Sequence, residues 1–259
     1  MITKLKNTLK NITKSLESEN LEHLNIGLLT GKSGIALFYY YYSKFIKEEV
    51  YAKKARNLII DVLNSINKGY NFHTFCDGIG GLAWAMEHLT QNNFMKKEDV
   101  LFLDDLDEFI YRKMMYDIKN GNFDFLHGAI GNGVYLINRV YKKQCINYIK
   151  ELVDELEKQS IKNKDGSIKW NTIIDFEKEI QGCDLGLAHG MSSVIVFLSK
   201  VFIKDIYNEK TIMLLNGAVN YLLKQQLDIS KVSSNFPVHV LSDGKPIMGR
   251  RIAWCTSSR

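Results

Sequence analysis

The sequence predicts an all-α chain arranged as a ring of paired helices, an α/α toroid carrying small β-hairpin insertions. Three observations predict it. Proline is missing until Pro237, so nearly the whole backbone is free to be helical. Apolar residues recur at helical spacing in several long windows. Four apolar segments, finally, open on a similar glycine-bearing phrase.

In chain order, Thr30-Gly31-Lys-Ser-Gly34 leads into a stretch from Ile35 to Phe45 that is apolar nearly all round, the mark of an inner-layer helix. Ala55 to Ile66 then places Leu58, Ile59, Val62, Leu63 and Ile66 on one face, which predicts an amphipathic outer helix. Asp77-Gly78-Ile-Gly-Gly81 opens the second unit, and Val100 to Met114 follows with Leu101, Leu103, Leu106, Phe109 and Ile110. His127-Gly128-Ala-Ile-Gly131 opens the third, followed by a helical face from Tyr148 to Leu156. The fourth phrase, His189-Gly190-Met-Ser-Ser193, keeps the first glycine and puts serine at the second position. It precedes an inner helix over Val194 to Phe202 and an outer one over Ile212 to Leu227.

The first glycines, Gly31, Gly78, Gly128 and Gly190, stand 47, 50 and 62 residues apart. A period near 50 with two helices per unit describes a repeated helical hairpin. An ordinary bundle with incidental glycines is the competing architecture, and the regular recurrence favours the ring. The longest interval holds Ile161 to Trp170, which centres on Asp165-Gly166 between alternating residues. Val238 to Ile247 does the same around Asp243-Gly244, so both read as hairpins.

Composition excludes several classes. With 46% hydrophobic and 11% aromatic residues in 259, the chain can bury a core and is not disordered. Its four cysteines, at 76, 145, 183 and 255, are too few and too far apart for a disulfide scaffold. The net charge of +5 is spread along the chain, with no basic stripe for nucleic acid. The apolar run from Ile35 meets Lys44 and Lys47 well short of a transmembrane span. No secretory signal opens the chain, which makes the cytoplasm the expected compartment.

If the repeated turns share one end of a ring, the residues beside them converge on one mouth. Those residues are Asp77, Asp124, His127, His189 and the segment Arg250 to Cys255. Carboxylate, imidazole, guanidinium and thiol together suit acid–base and metal chemistry. Each also has a plainer reading: Asp77 as a helix N-cap, a histidine before glycine as a turn residue, Cys255 as a buried thiol beside Trp254.

Asp124-Phe-Leu-His-Gly-Ala-Ile-Gly131, Leu185-Gly-Leu-Ala-His-Gly190 and Arg251-Ile-Ala-Trp-Cys255 together resemble the lanthionine synthetase C-like family, which includes the lantibiotic cyclases. The likeness runs over most of the chain and in order. It implies a double-layered α/α toroid of seven hairpins with zinc at one mouth, held by two cysteines and a histidine. It also implies an activity: a Cys thiolate of a precursor peptide adds to dehydroalanine or dehydrobutyrine and closes a thioether ring. Zinc would lower the thiol pKa, and an acid would protonate the enolate. By the resemblance, Cys255 is a zinc ligand, His189 the acid–base group and Asp124 the carboxylate of the third turn. Arg251 then stabilises the enolate or orients Asp124.

The family pattern continues past Trp-Cys, whereas this sequence reads Thr256-Ser-Ser-Arg259. A later Cys-His-Gly segment, with the other two zinc ligands, is not in it, and neither are the last two to three hairpins. The expectation is a single, incomplete domain over residues 1–259, inactive alone and completed by a separate C-terminal fragment or a partner. Two other functions compete. One is a non-catalytic module that binds a precursor peptide or a dehydratase partner. The other is a carbohydrate enzyme using Asp77 and Asp124.

Overall fold

The computed structural model describes residues 2–175, 177–232 and 234–249. Arg251 and Cys255 therefore lie outside the described residues. The chain divides by its contacts into Met1–Val100 and Leu101–Arg259.

The first unit holds α1 (Ile2–Ser18), α2 (Lys32–Ile46), α3 (Glu49–Asn67) and α4 (Ile79–Gln91). Helices α2 and α3 form a hairpin across a two-residue link, in which Lys47 adopts the left-handed region at φ 62°. The Ser43 hydroxyl donates to the Glu48 carbonyl at 2.8 Å and closes that link. The predicted outer helix is α3, and Ile59 and Val62 of its predicted face are buried with Ala52 and Ala55. The predicted inner helix α2 buries Ala36, Tyr39, Tyr40 and Tyr42 but leaves Tyr41 and Phe45 exposed, so its apolar sequence is wider than its buried face.

The second unit holds α5 (Leu103–Lys119), α6 (Ala129–Leu136), α7 (Lys143–Gln159), α8 (Met191–Ile203) and α9 (Asn208–Lys224). Every residue of α6 is buried. Helix α5 begins at Leu103, and Leu101, which the spacing placed on its face, is exposed. Gly133 lets α6 approach its neighbours closely: a Cβ there would lie 2.7 Å from Leu152 and 2.9 Å from Phe197. Beneath α6, the Arg139 guanidinium sits 2.9 Å from the Asp107 carboxylate, which also accepts the Tyr135 hydroxyl at 2.6 Å.

Both predicted hairpins are present. Strands β1 (Ile161–Lys162) and β2 (Ile168–Lys169) pair around Gly166 at φ +79°. The second hairpin has a larger role than its sequence indicated. Its strands β5 (His239–Leu241) and β6 (Pro246–Ile247) join β3 (Thr172–Asp175) and β4 (Ile180–Asp184) in an antiparallel sheet of order β3-β4-β5-β6. In its register Asp184 faces His239.

The glycine phrases share one geometry. Gly31, Gly78, Gly128 and Gly190 all stand at the N-cap of their helix in extended backbone, φ −126 to −138°, with no side-chain cap. Their φ values suit any residue; what demands glycine is contact with the residue six positions earlier. A Cβ on Gly31 would lie 2.1 Å from the Asn25 side chain, and one on Gly78 would lie 2.3 Å from the Phe72 carbonyl. On Gly128 it would meet the Asn122 side chain at 2.3 Å, and on Gly190 the Asp184 carbonyl at 2.3 Å. The same loop caps the helix through its backbone: Lys32, Ile79 and Ala129 donate to the carbonyls of Asn25, Phe72 and Asn122 at 2.9, 2.9 and 3.1 Å.

This corrects the reading of Asp77 as an N-cap. The cap is Gly78, whose helix is satisfied by the Phe72 carbonyl. The Asp77 carboxylate instead accepts from the Thr30 hydroxyl and, at 3.3 Å, from the Asn25 amide, tying one glycine turn to the previous one. Among the described residues no helix is long and apolar enough to cross a membrane.

Candidate active site

Asp124 and His189 lie 65 residues apart and meet in the second unit. Each belongs to the loop before a glycine entrance, Asp124 ahead of α6 and His189 ahead of α8. A backbone bond from Phe125 to the Ala188 carbonyl, 3.3 Å, holds the two loops side by side. The Asp124 Oδ1 accepts the Leu126 and His127 backbone N–H groups at 2.6 and 2.8 Å, which fixes the carboxylate locally as an Asx turn. Its Oδ2 lies 2.5 Å from Nδ1 of His189. A carboxylate on Nδ1 selects the tautomer protonated there, so proton exchange by the ring runs through Nε2. The His127 ring stacks against His189, with centroids 6.1 Å apart and planes 13° from parallel.

Asp124 and His189 line a cavity of about 750 Å³. Two further titratable residues on its wall, Asp184 and His239, were not singled out from the sequence. Asp184 lies five residues before His189 on the same turn, and its Oδ1 accepts the Gly186 N–H at 2.6 Å. Burial pushes its carboxyl above the usual range, against the pull of that N–H and of the His239 and His189 rings. Burial likewise pushes His239 down, opposed by the Asp184 charge, and so favours the neutral ring. The only trace of His239 in the sequence is a polar residue between Val238 and Val240 on a short alternating strand.

Asp77 is in the first unit, bound to its own loops, with the Tyr70 hydroxyl on its carbonyl at 2.8 Å. Arg251 and Cys255 lie outside the described residues. The zinc that the resemblance implies needs thiolate or imidazole ligands. Burial pushes the thiols of Cys145 and Cys183 up to about 12, and among the described residues neither stands in a cluster of three or more possible ligand residues. The described cysteines of this unit therefore do not form a zinc site by themselves.

A model of the family described as lanthionine synthetase C-like protein matches residues 22–256. The chain belongs to this family. The lanthionine synthetase C-like chain is also 24% identical over 227 residues to the nisin biosynthesis protein NisC of Lactococcus lactis subsp. lactis. That match takes in 82% of this chain and 54% of the relative, so the chain spans about half the length of the curated protein it matches. The solved structure of a nisin cyclase superposes with a TM-score of 0.77 at 19% identity, over 98% of this chain and 67% of that one. At that identity the likeness speaks for the fold, and it bears out the predicted α/α toroid with small β insertions.

Proposed function

We propose that this family member acts in thioether-ring formation on a peptide, with His189 as the acid–base group and Asp124 as its orienting partner. The observation that carries the reading is the 2.5 Å contact of Asp124 Oδ2 with His189 Nδ1 on the wall of a large cavity. In the reaction, the peptide's Cys sulfur bonds to the β-carbon of a dehydroalanine or dehydrobutyrine. The double-bond electrons pass into the adjacent carbonyl as an enolate, and a proton returns to the α-carbon. The thiol's own proton balances the addition, and no oxidant enters. His189, with Nδ1 engaged by a carboxylate, is suited to carry that proton through Nε2. Arg251 is assigned to the enolate charge or to Asp124, and Cys255 to zinc. Among the described residues, Cys145 and Cys183 stand outside any cluster of three or more possible ligand residues and are not assigned to it.

A dehydrated, Cys-containing precursor peptide is the substrate class, which makes a dehydratase the enzyme that must act before this one. Cys145 and Cys183 are buried thiols outside any disulfide, and the cytoplasm is the proposed compartment.

The test is a synthetic peptide carrying one cysteine and one dehydroalanine. Consumption of the peptide thiol is followed by alkylation and mass spectrometry, beside metal analysis of the purified chain. Cyclisation by the wild type that falls about 10²- to 10⁴-fold in His189→Ala supports the reading, the usual span for a lost acid–base group. Asp124→Asn places an amide N–H against Nδ1, which disfavours the working tautomer, and is expected to lose activity while keeping the fold. Peptide binding without any thiol consumption would refute the catalytic reading and leave a binding module.

A further inference from the structure

The cavity wall carries a second imidazole that the proposed chemistry does not use. His239 is 3% exposed, and among the described residues neither of its ring nitrogens has a hydrogen-bond partner. Its Nδ1 lies 3.4 Å from Asp184 Oδ2, an ion-pair distance without hydrogen-bond alignment. Strand pairing sets this arrangement, because His239 on β5 stands directly across from Asp184 on β4. On the same wall, Oδ1 of Asn171, just ahead of β3, is also buried and without a partner among the described residues.

Buried polar atoms are almost always satisfied, and a group of them left open on one cavity wall points to a ligand that completes them. The wall also says what kind of ligand. A carboxylate or phosphate would meet Asp124 and Asp184 on it, and an imidazole kept neutral by burial offers no compensating charge. A neutral imidazole has one donor and one acceptor. Asn171 adds a further acceptor. The complement is a neutral group that donates, as a backbone N–H does. The Asp184 carboxylate nearest Nδ1 favours the proton on that nitrogen, which makes Nε2 the acceptor.

We propose that His239 is a substrate-contacting residue of this site, accepting a backbone N–H of the bound peptide through Nε2 while Asp184 orients the ring. The proposal rests on the reading that the cavity takes a peptide. It gives the cavity two imidazoles with separate tasks: His189 moves the proton, and His239 holds the chain that receives it. Asp184 is a positioning residue for the second as Asp124 is for the first.

The experiment uses the full chain labelled with ¹⁵N-histidine. The probe is a synthetic peptide containing dehydroalanine with serine in place of the reacting cysteine, so that nothing turns over. The His239 resonances are assigned by their loss in His239→Gln. On titration the His239 ring nitrogens are expected to shift with the same saturation curve as binding measured by calorimetry. His239→Phe should weaken binding at least tenfold. His239→Gln, which keeps an acceptor at similar reach, should weaken it less than about threefold. Because the ring is buried, the wild-type resonances decide the matter if His239→Phe fails to fold. Peptide binding that shifts His189 but leaves His239 unmoved overturns this inference alone, as does full affinity in a folded His239→Phe. If neither histidine responds at saturating peptide, the inference falls together with the peptide reading of the cavity. Cyclisation by the wild type with a silent His239 separates the two.

Discussion

Replacing Gly190 with alanine tests the helix entrances most directly. The added Cβ would lie 2.3 Å from the Asp184 carbonyl oxygen, 2.5 Å from its carbon and 2.5 Å from its Oδ1. Two of those atoms are backbone, so no rotamer change relieves the contact, and the loop ahead of α8 must move by about an ångström to restore normal separation. Overpacking of this kind costs about 1–3 kcal/mol, and a backbone obstacle belongs at the upper end. In a unit of this size each kcal/mol lowers the melting temperature by about 2–4 °C, which predicts a drop of about 6–12 °C. Gly121→Ala is the control. Gly121 has φ +80° with nothing within 4 Å of an added Cβ, so alanine there meets only the left-handed backbone penalty of about 1 kcal/mol and should melt about 2–4 °C low. Differential scanning calorimetry of the two variants gives the comparison. A Gly190→Ala protein that melts with the wild type, or above Gly121→Ala, would refute the close-approach account of these glycines.

Asp107→Ala strips the 3%-exposed Arg139 guanidinium of its innermost carboxylate and should cost about 3 kcal/mol in urea denaturation; Asp104, 2.6 Å from the same guanidinium, keeps the loss near the low end for a broken buried pair. Asp107→Leu with Arg139→Met together should recover most of it. The Cys145 and Cys183 thiols, pushed up to about 12, should resist iodoacetamide at pH 8 in the folded chain and label fully in urea, as read by peptide mass mapping. His239 is held below its ordinary 6.5 by burial, so the unfolded chain takes up its proton first as pH falls. Stability should therefore decline as pH drops from about 6.5 toward the folded value, and His239→Gln should flatten that slope in melts between pH 7 and 5. Asp184 acts in the opposite sense and lower down: its raised folded pKa favours folding at acid pH, and that contribution is lost as pH climbs from 3.8.

What could be read from the sequence was whatever lies within a few residues of itself. The helix faces of α3 and α7, the two Asp-Gly hairpins and the four glycine entrances all depend on local periodicity and turn chemistry. Asp124 and His189 were legible for the same reason, since each sits in a recognisable glycine phrase. Strands β3 and β4 were not, because a bulge between Ile173 and Asp175 breaks their alternation. The Asp184–His239 pairing joins residues 55 positions apart through a strand register that no local pattern announces. Asp77 was misread because aspartate before a helix favours capping in general, whereas here a loop carbonyl already occupies that role.

That last point has a wider consequence. At each of the four entrances the N-cap is a glycine with no side chain recruited to cap the helix, and at three of them a loop carbonyl closes its start. The residue just ahead of the glycine is thereby relieved of a task that usually limits such positions to a few residue types. In this chain that position holds Thr30, Asp77, His127 and His189 in turn. One backbone frame thus works as a socket that accepts a hydroxyl, a carboxylate or an imidazole. Chemistry can be exchanged at these turns without renegotiating the architecture beneath them.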